Sequence, residues 1–359
     1  MNLKKVLVPV IQAAVTTLLL WWIFHDPSKR AQMVEALGKA DPLWLVPGFL
    51  CFGLVLVCAA FRWQLLMNVQ GIDLPWFRVW QLVMIGMFYN LFLPGGTGGD
   101  LVKVFYAVKE APRRKSAVFL SVVVDRIAGM VALIIVSAAV FLWFRETLMA
   151  LPIVRAFLVT VAVIFGAFLG LIALAVAVDR FHLASRLPAR MPGHAAILEI
   201  ARAFSVYARD WKVIVASILI SMPLNLFIFG TGIFAAFAFK GNPGAAAMTS
   251  VIPVVNTISS LPISLAGIGV REKLFAMMLH PLYGTPEDLA VLISITGFAL
   301  GVLWGLLGGV VNLFYRPSDG SLLTTAGLES EIGTIEHQIE DEERAPDRAS
   351  RNPGECRAS

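Results

Sequence analysis

The sequence predicts an all-α polytopic membrane protein with about six full spans and two oppositely oriented re-entrant helical hairpins in an inverted repeat. Three observations carry this. First, hydrophobic residues fill 58% of 359 positions and charged residues only 15%, and the mean hydropathy is +0.78. A water-soluble domain needs a larger charged shell. Second, the apolar residues come in blocks long enough to cross about 30 Å of hydrocarbon, which takes roughly 20 residues of helix. The period-two alternation of a membrane barrel is absent. Third, two further apolar regions are interrupted by proline and clustered glycine, which a spanning helix does not tolerate unless the freed backbone is buried or lines a cavity.

The elements follow in order. Residues 6–24 are preceded by Lys4 and Lys5 and followed by His25-Asp26-Pro27, which is not a small-residue cleavage site. This block is longer than a signal-peptide core and reads as an uncleaved first span. Further spans are predicted at 43–63, 116–144, 153–178, 213–239 and 289–314. The first broken region, 79–106, contains Pro94-Gly95-Gly96-Thr97-Gly98-Gly99-Asp100. The second, 245–279, is interrupted at Pro253, Pro262 and Ala266-Gly267-Ile268-Gly269.

Charge orients these elements. Lys103, Lys109, Arg113, Arg114 and Lys115 follow the first broken region, and loop 179–212 carries six basic against three acidic residues. Both belong on the cytoplasmic side, as does the stretch from Arg62 to Arg78, whereas 145–152 and 240–244 fall outside. Threading the chain through these constraints makes the two broken regions hairpins that enter from opposite faces, with both termini cytoplasmic. The membrane part, 1–315, divides into halves of about 1–150 and 151–315. A short internal match supports the repeat: Gly96 to Asp100 aligns with Gly267 to Arg271, and paired broken helices mark a midplane site in transporters. Residues 197–211 place Phe204, Tyr207 and Trp211 on one face, the pattern of an interfacial helix. The tail 316–359 holds five basic and ten acidic residues, cannot bury a core and is expected to be a disordered cytoplasmic segment.

Candidate chemistry begins with Asp125 and Arg126, about ten residues into a span and so about 15 Å deep. Intramembrane charges face a partner or a cavity, and neighbours about 100° apart on a helix do not satisfy each other. Arg126 is a candidate for an anionic group, Asp125 for a cation, a proton or a basic side chain. A structural ion pair to another helix is the alternative for both. In the glycine loop, Gly95, Gly96, Gly98 and Gly99 allow backbone N–H groups to approach a ligand. Asp100 and Lys103 open the next helix, whose N-terminus favours an anion such as phosphate. A tight turn that needs glycine for steric reasons is compatible with that role. Gly267 and Gly269 precede Arg271 and Glu272 in the second hairpin. Asn225, after Pro223 in mid-span, and Asn90 and Asn256 in the hairpins suit either ligand contact or interhelical hydrogen bonds.

Other classes find little support. The five histidines are scattered, Cys51, Cys58 and Cys356 follow no pairing or zinc pattern, and no nucleophile elbow occurs. No metal, cofactor or nucleic-acid partner is expected, and no residue is assigned as catalytic.

The stretch Asn90-Leu-Phe-Leu-Pro-Gly-Gly-Thr-Gly-Gly-Asp100, the step Val124-Asp125-Arg126-Ile127 and Gly267-Ile-Gly-Val-Arg271-Glu272 resemble the flippase-like transmembrane domain family. That family includes the membrane half of the lysylphosphatidylglycerol synthetases and stand-alone relatives. The resemblance covers about residues 5–315. It implies lipid translocation between leaflets, and matching roles for Asp100, Arg126, Arg271 and Glu272. It does not extend to a soluble aminoacyltransferase domain, so a synthetase is not expected. The expected function is a flippase of a phosphate-bearing lipid, in a bacterial inner membrane, with a membrane lipid of anionic headgroup as partner. Oligomeric state is left open, a homo-oligomer included. Two alternatives are an intramembrane enzyme acting on a lipid carrier, with Asp100, Asp125 and Glu272 as acid/base candidates, and a small-solute or ion transporter.

Overall fold

A computed structural model describes residues 38–93, 98–152, 209–260 and 267–316, with isolated positions at 34–35, 154–166 and 206–207. Among the described residues the chain is helical throughout, with no strand. Eight principal helices follow in order: α1 Leu45–Val69, α2 Trp76–Phe92, α3 Gly98–Glu110, α4 Lys115–Trp143, α5 Trp211–Phe237, α6 Gly244–Ser259, α7 Val270–Tyr283 and α8 Glu287–Phe314.

Local chemistry sets the ends. Pro42 and Pro112 occupy the first positions of 3-10 turns that lead into α1 and α4, where proline's missing N–H is no loss. The Asp41 carboxylate accepts from the Leu43 N–H at 3.0 Å. Gly284, left-handed at φ 67°, stops α7. Glu287 and Asp288 place negative charge on the first turn of α8.

Four segments are long and apolar enough to cross a membrane: Pro42–Val69, Pro112–Trp143, Trp211–Phe237 and Glu287–Phe314. They coincide with four of the predicted spans. Large apolar side chains such as Leu219, Leu226, Leu303, Leu307 and Val310 point outward from α5 and α8. An outward apolar face on a membrane-length helix is solvated by lipid. The predicted span at 6–24, all but isolated positions of the span at 153–178, Pro262, nearly all of loop 179–212 and all but the first residue of the tail lie outside the described residues.

Among the described residues the helices form two main cores, beside a small cluster of Leu66, Leu120, Val124 and Tyr207. One gathers α1 to α4 around Trp63, Met67, Leu82, Ile85 and Val118. The other gathers α5 to α8 around Phe229, Met248, Val255, Met278 and Ile293. Antiparallel α1 and α5 join them, with Gly48 against Phe234 and Gly230 against Cys51. A glycine stripe on α8 receives α2. A Cβ at Gly305 would meet Leu91 at 2.7 Å, and one at Gly308 would lie 2.1 Å from the Met84 carbonyl oxygen. Small residues permit this backbone approach where apolar burial gives helices no preference over lipid. The packing partners of the halves correspond. α2 packs on α3 and α6 on α7. α4 packs on α1, α3, α5 and α6, while α8 packs on α5, α7, α1 and α2.

Three expectations are corrected. α1 continues to Val69, so Arg62 sits within a helix and not at the start of a cytoplasmic loop. Pro253 does not interrupt the second broken region: α6 runs through it from Gly244 to Ser259, and the break lies between Ser259 and Val270. Tyr207 does not share an outward face with Trp211. It is fully buried, and its hydroxyl donates to the Leu66 carbonyl at 2.9 Å, while Trp211 is 59% exposed.

Candidate functional site

The α2–α3 turn places the first charged group. Gly99 rests so close to α2 that a Cβ would lie 2.0 Å from the Gly86 carbonyl oxygen and 2.6 Å from Asn90 Cγ. Asn90 Oδ1 accepts from the Gly99 N–H at 2.8 Å, which satisfies one of the donors that a helix N-terminus leaves without an intrahelical partner. Gly98 is likewise buried, against Leu93. Both glycines thus meet the steric demand of the turn. Gly95 and Gly96 lie outside the described residues. The contact aims Asp100 and Lys103, one turn apart on α3, at α1 and α4.

Four helices then converge on five charges. Asp125 of α4 accepts two hydrogen bonds from Arg62 of α1, from Nε at 2.7 Å and Nη2 at 3.1 Å. Arg62 Nη1 donates to Ser221 Oγ of α5 at 2.8 Å, and the Ser221 hydroxyl in turn donates to the Ser217 carbonyl oxygen at 2.8 Å. Lys103 Nζ lies 3.8 Å from Asp125 Oδ2 and 4.0 Å from Asp100 Oδ1, and 4.3 Å above the Trp63 ring. That ring is fixed by its Nε1 donating to Ser121 Oγ at 3.0 Å. Arg126 Nε donates to Asp100 Oδ2. Side-chain exposure is 10% for Arg62, 7% for Asp125, 9% for Lys103 and 18% for Asp100, but 43% for Arg126.

Counted at ordinary charges, Arg62, Lys103 and Arg126 exceed Asp100 and Asp125 by one. Each such charge costs about 2.5–3.5 kcal/mol at a helix centre on the insertion scale, so the pairing is what makes the cluster tolerable. The net positive charge is shared among these paired groups, and Arg126 is their most accessible cation. That combination is suited to binding an anion.

The second break builds a different site. Gly269, at φ 85°, turns the chain into α7. Glu272 Oε2 accepts from the Gly269 N–H at 2.6 Å, the carboxylate arm of a capping box. Its other oxygen accepts from Arg271 Nη2 at 3.0 Å and Ser294 Oγ at 3.1 Å. Arg271 Nε also donates to Ser294 at 3.1 Å, and its guanidinium lies 4.6 Å from the Phe298 ring centroid. Arg271 borders a cavity of about 140 Å³ with Asn256, Thr231, Phe52, Phe275 and Phe298. Arg271 and Glu272 cancel, so this site is neutral overall. Gly267, at φ 75°, approaches Ser259.

The profile of a family described as the lysylphosphatidylglycerol synthase TM region matches residues 10–309. The chain belongs to this family. It is also similar to two UPF0104 membrane proteins: one from Pyrococcus horikoshii, 28% identical over 143 residues, and one from Methanocaldococcus jannaschii, 25% identical over 114 residues. The first alignment covers 39% of this chain and 41% of its relative, the second 32% of each, so the matched stretch is well under half of either relative's length.

Every predicted site residue falls inside the family match. The structure brings Asp100, Lys103, Asp125 and Arg126 together, and Gly267, Gly269, Arg271 and Glu272 around the second break. Asn225 joins neither as a ligand-facing group. It is buried, and its Nδ2 donates to the Ser221 carbonyl at 2.8 Å in its own helix, one turn from the Arg62–Ser221 contact. Arg62, Trp63, Ser121 and Ser221 were not singled out in the sequence. One signal was present for Arg62: it is the sole charge in α1, opposite a buried carboxylate in need of a cation. Among the described residues no cluster of three metal-ligating side chains occurs.

Proposed function

We propose that this protein moves a phosphate-bearing lipid between membrane leaflets. The observation that carries the proposal is the net positive charge of the cluster of Arg62, Lys103, Arg126, Asp100 and Asp125, whose most exposed cation is Arg126, where four helices of an apolar frame meet. A phosphate placed there gains a charge-assisted partner while its hydrocarbon chains stay in lipid. Membership of the lysylphosphatidylglycerol synthase TM family supports a lipid cargo. In this proposal α2–α3 and α6–α7 are re-entrant hairpins from opposite faces, related by an inverted repeat, and the corresponding packing of the two halves supports it. Asp100, Lys103, Asp125 and Arg126 serve as one headgroup site and Arg271 and Glu272 as its opposite-face counterpart. The protein would lie in a bacterial inner membrane with both termini cytoplasmic.

The intramembrane-enzyme alternative gains no supporting observation. Asp100, Asp125 and Glu272 are each ion-paired with a basic side chain. The test is reconstitution into liposomes with a fluorescent phospholipid and a membrane-impermeant quencher. Wild type is expected to expose inner-leaflet label at least tenfold faster than empty liposomes, and Arg126→Ala to abolish the difference. Equal rates for wild type and Arg126→Ala refute the proposal.

A further inference from the structure

We infer that Asp100 is a built-in counter-ion for Arg126 that the ligand displaces, and that the site thereby selects a headgroup with one negative charge, as in a phosphodiester. This rests on the anion-binding role proposed above and adds the charge rule by which the site chooses.

Asp100 occupies on Arg126 the position that a phosphate oxygen would take. It can leave at low electrostatic cost, because Lys103 on the same helix face already lies 4.0 Å from its other oxygen. Lys103 is in turn held by Asp125 and the Trp63 ring, so the exchange moves one carboxylate without exposing a buried cation. The route to Arg126 is open, since it is the one cluster member with more than a third of its side chain exposed.

The charge count then decides what can stay. The cluster totals +1 without ligand, 0 with a monoanion and −1 with a dianion. Other charged residues on the same helices do not alter the sum, because Arg78, Lys109, Glu110, Lys115 and Lys212 lie at helix ends. Of these, Arg78 and Glu110 face each other at 3.8 Å, and Lys109 lies over the Phe105 ring. In a low-dielectric frame a residual charge is expensive, so a phosphodiester fits and a doubly charged phosphomonoester does not.

The test uses the full chain in detergent and native mass spectrometry. Phosphatidylglycerol, a phosphodiester, competes with phosphatidic acid of the same chains at pH 8.5, where the phosphomonoester is largely doubly charged. Wild type is expected to retain phosphatidylglycerol at least tenfold over phosphatidic acid. Asp100→Asn raises the cluster to +2 and is expected to shift that ratio at least tenfold toward phosphatidic acid, whereas Asp100→Glu keeps the wild-type preference. Glycerophosphoglycerol, the same headgroup without chains, separates the two sources of a phosphodiester. Competition as strong as the lipid's assigns a soluble ligand and overturns the lipid proposal, and no competition supports the lipid. A wild-type ratio near one, or an Asp100→Asn ratio equal to wild type, overturns the charge rule while leaving anion binding at Arg126 in place. Retention of neither lipid by wild type overturns both.

Discussion

Replacing Arg62 by methionine isolates the stability of the charged cluster. The change removes two hydrogen bonds to Asp125, at 2.7 and 3.1 Å, and one to Ser221 at 2.8 Å, while keeping most of the apolar stem. Asp125 stays buried with Lys103 as its nearest cation at 3.8 Å. Breaking a buried pair by removing one partner costs about 3–5 kcal/mol. Lys103 already stands close enough to take up part of the lost attraction, so we expect the lower end, about 3 kcal/mol. Removing both partners, as Arg62→Met with Asp125→Leu, leaves no uncompensated carboxylate. Such apolar replacements of buried pairs are often neutral, and we expect a loss below about 1.5 kcal/mol for the double variant, with a coupling of at least about 1.5 kcal/mol between the sites. The assay is unfolding in mixed micelles of increasing SDS fraction, followed by helical circular dichroism, on wild type, both single variants and the double variant. An Arg62→Met protein that unfolds within about 0.5 kcal/mol of wild type would falsify the view that this pair holds α1 to α4.

Two further outcomes test the packing and the helix ends. Gly308→Ala places a Cβ 2.1 Å from the Met84 carbonyl oxygen and is expected to lower the same unfolding midpoint by about 1–3 kcal/mol. Gly297→Ala on the same helix meets only Ala235 at 3.9 Å and is expected to leave it unchanged. At the end of α8, the Tyr315 hydroxyl donates to Glu110 Oε1 at 2.6 Å, and burial, then the bond to Glu110, push its phenol above the ordinary value of 10. A raised phenol contributes stability that is complete below the unfolded value and lost as pH rises towards the folded one. The advantage of wild type over Tyr315→Phe is therefore expected to hold at pH 8 and shrink above pH 10 in thermal melts.

The sequence announced four of the spans because apolar blocks of helical length have one stable solution in lipid. It also announced an interruption of the first broken region, where one helix ends at Phe92 and the next begins at Gly98, since Pro94 and four glycines do not favour a continuous helix. The site was half legible. Asp125 and Arg126 stood out as charges in a span and were expected to need other partners, which proved to be Arg62 and Asp100. Arg62 itself was hidden by a sound rule misapplied: a charge near the end of an apolar block ordinarily marks the membrane surface. Here that charge is followed by seven more helical residues, and only the fold shows that its partner lies 63 positions away. Pro253 misled for a similar reason, because local propensity says break while packing on α5 and α4 carries the helix through. The spacing from Gly269 to Glu272 held a capping signal, although the carboxylate was read as a ligand group.

The seating of α2 in the glycine stripe of α8 has a consequence for biogenesis. Met84, Phe88 and Leu91 find their backbone-close partners at Gly305, Gly308 and Gly309, more than 210 residues later in the chain. At about 5–20 residues per second, a ribosome that has released α2 needs roughly 10–45 s to deliver the helix that completes its packing. During that interval the apolar flank of α2 must be shielded by lipid, by the insertion machinery or by earlier helices. α8, the latest of the described helices to enter, thus locks the first broken region in place, and a truncation before residue 287 removes support from α2, a helix far earlier in the chain.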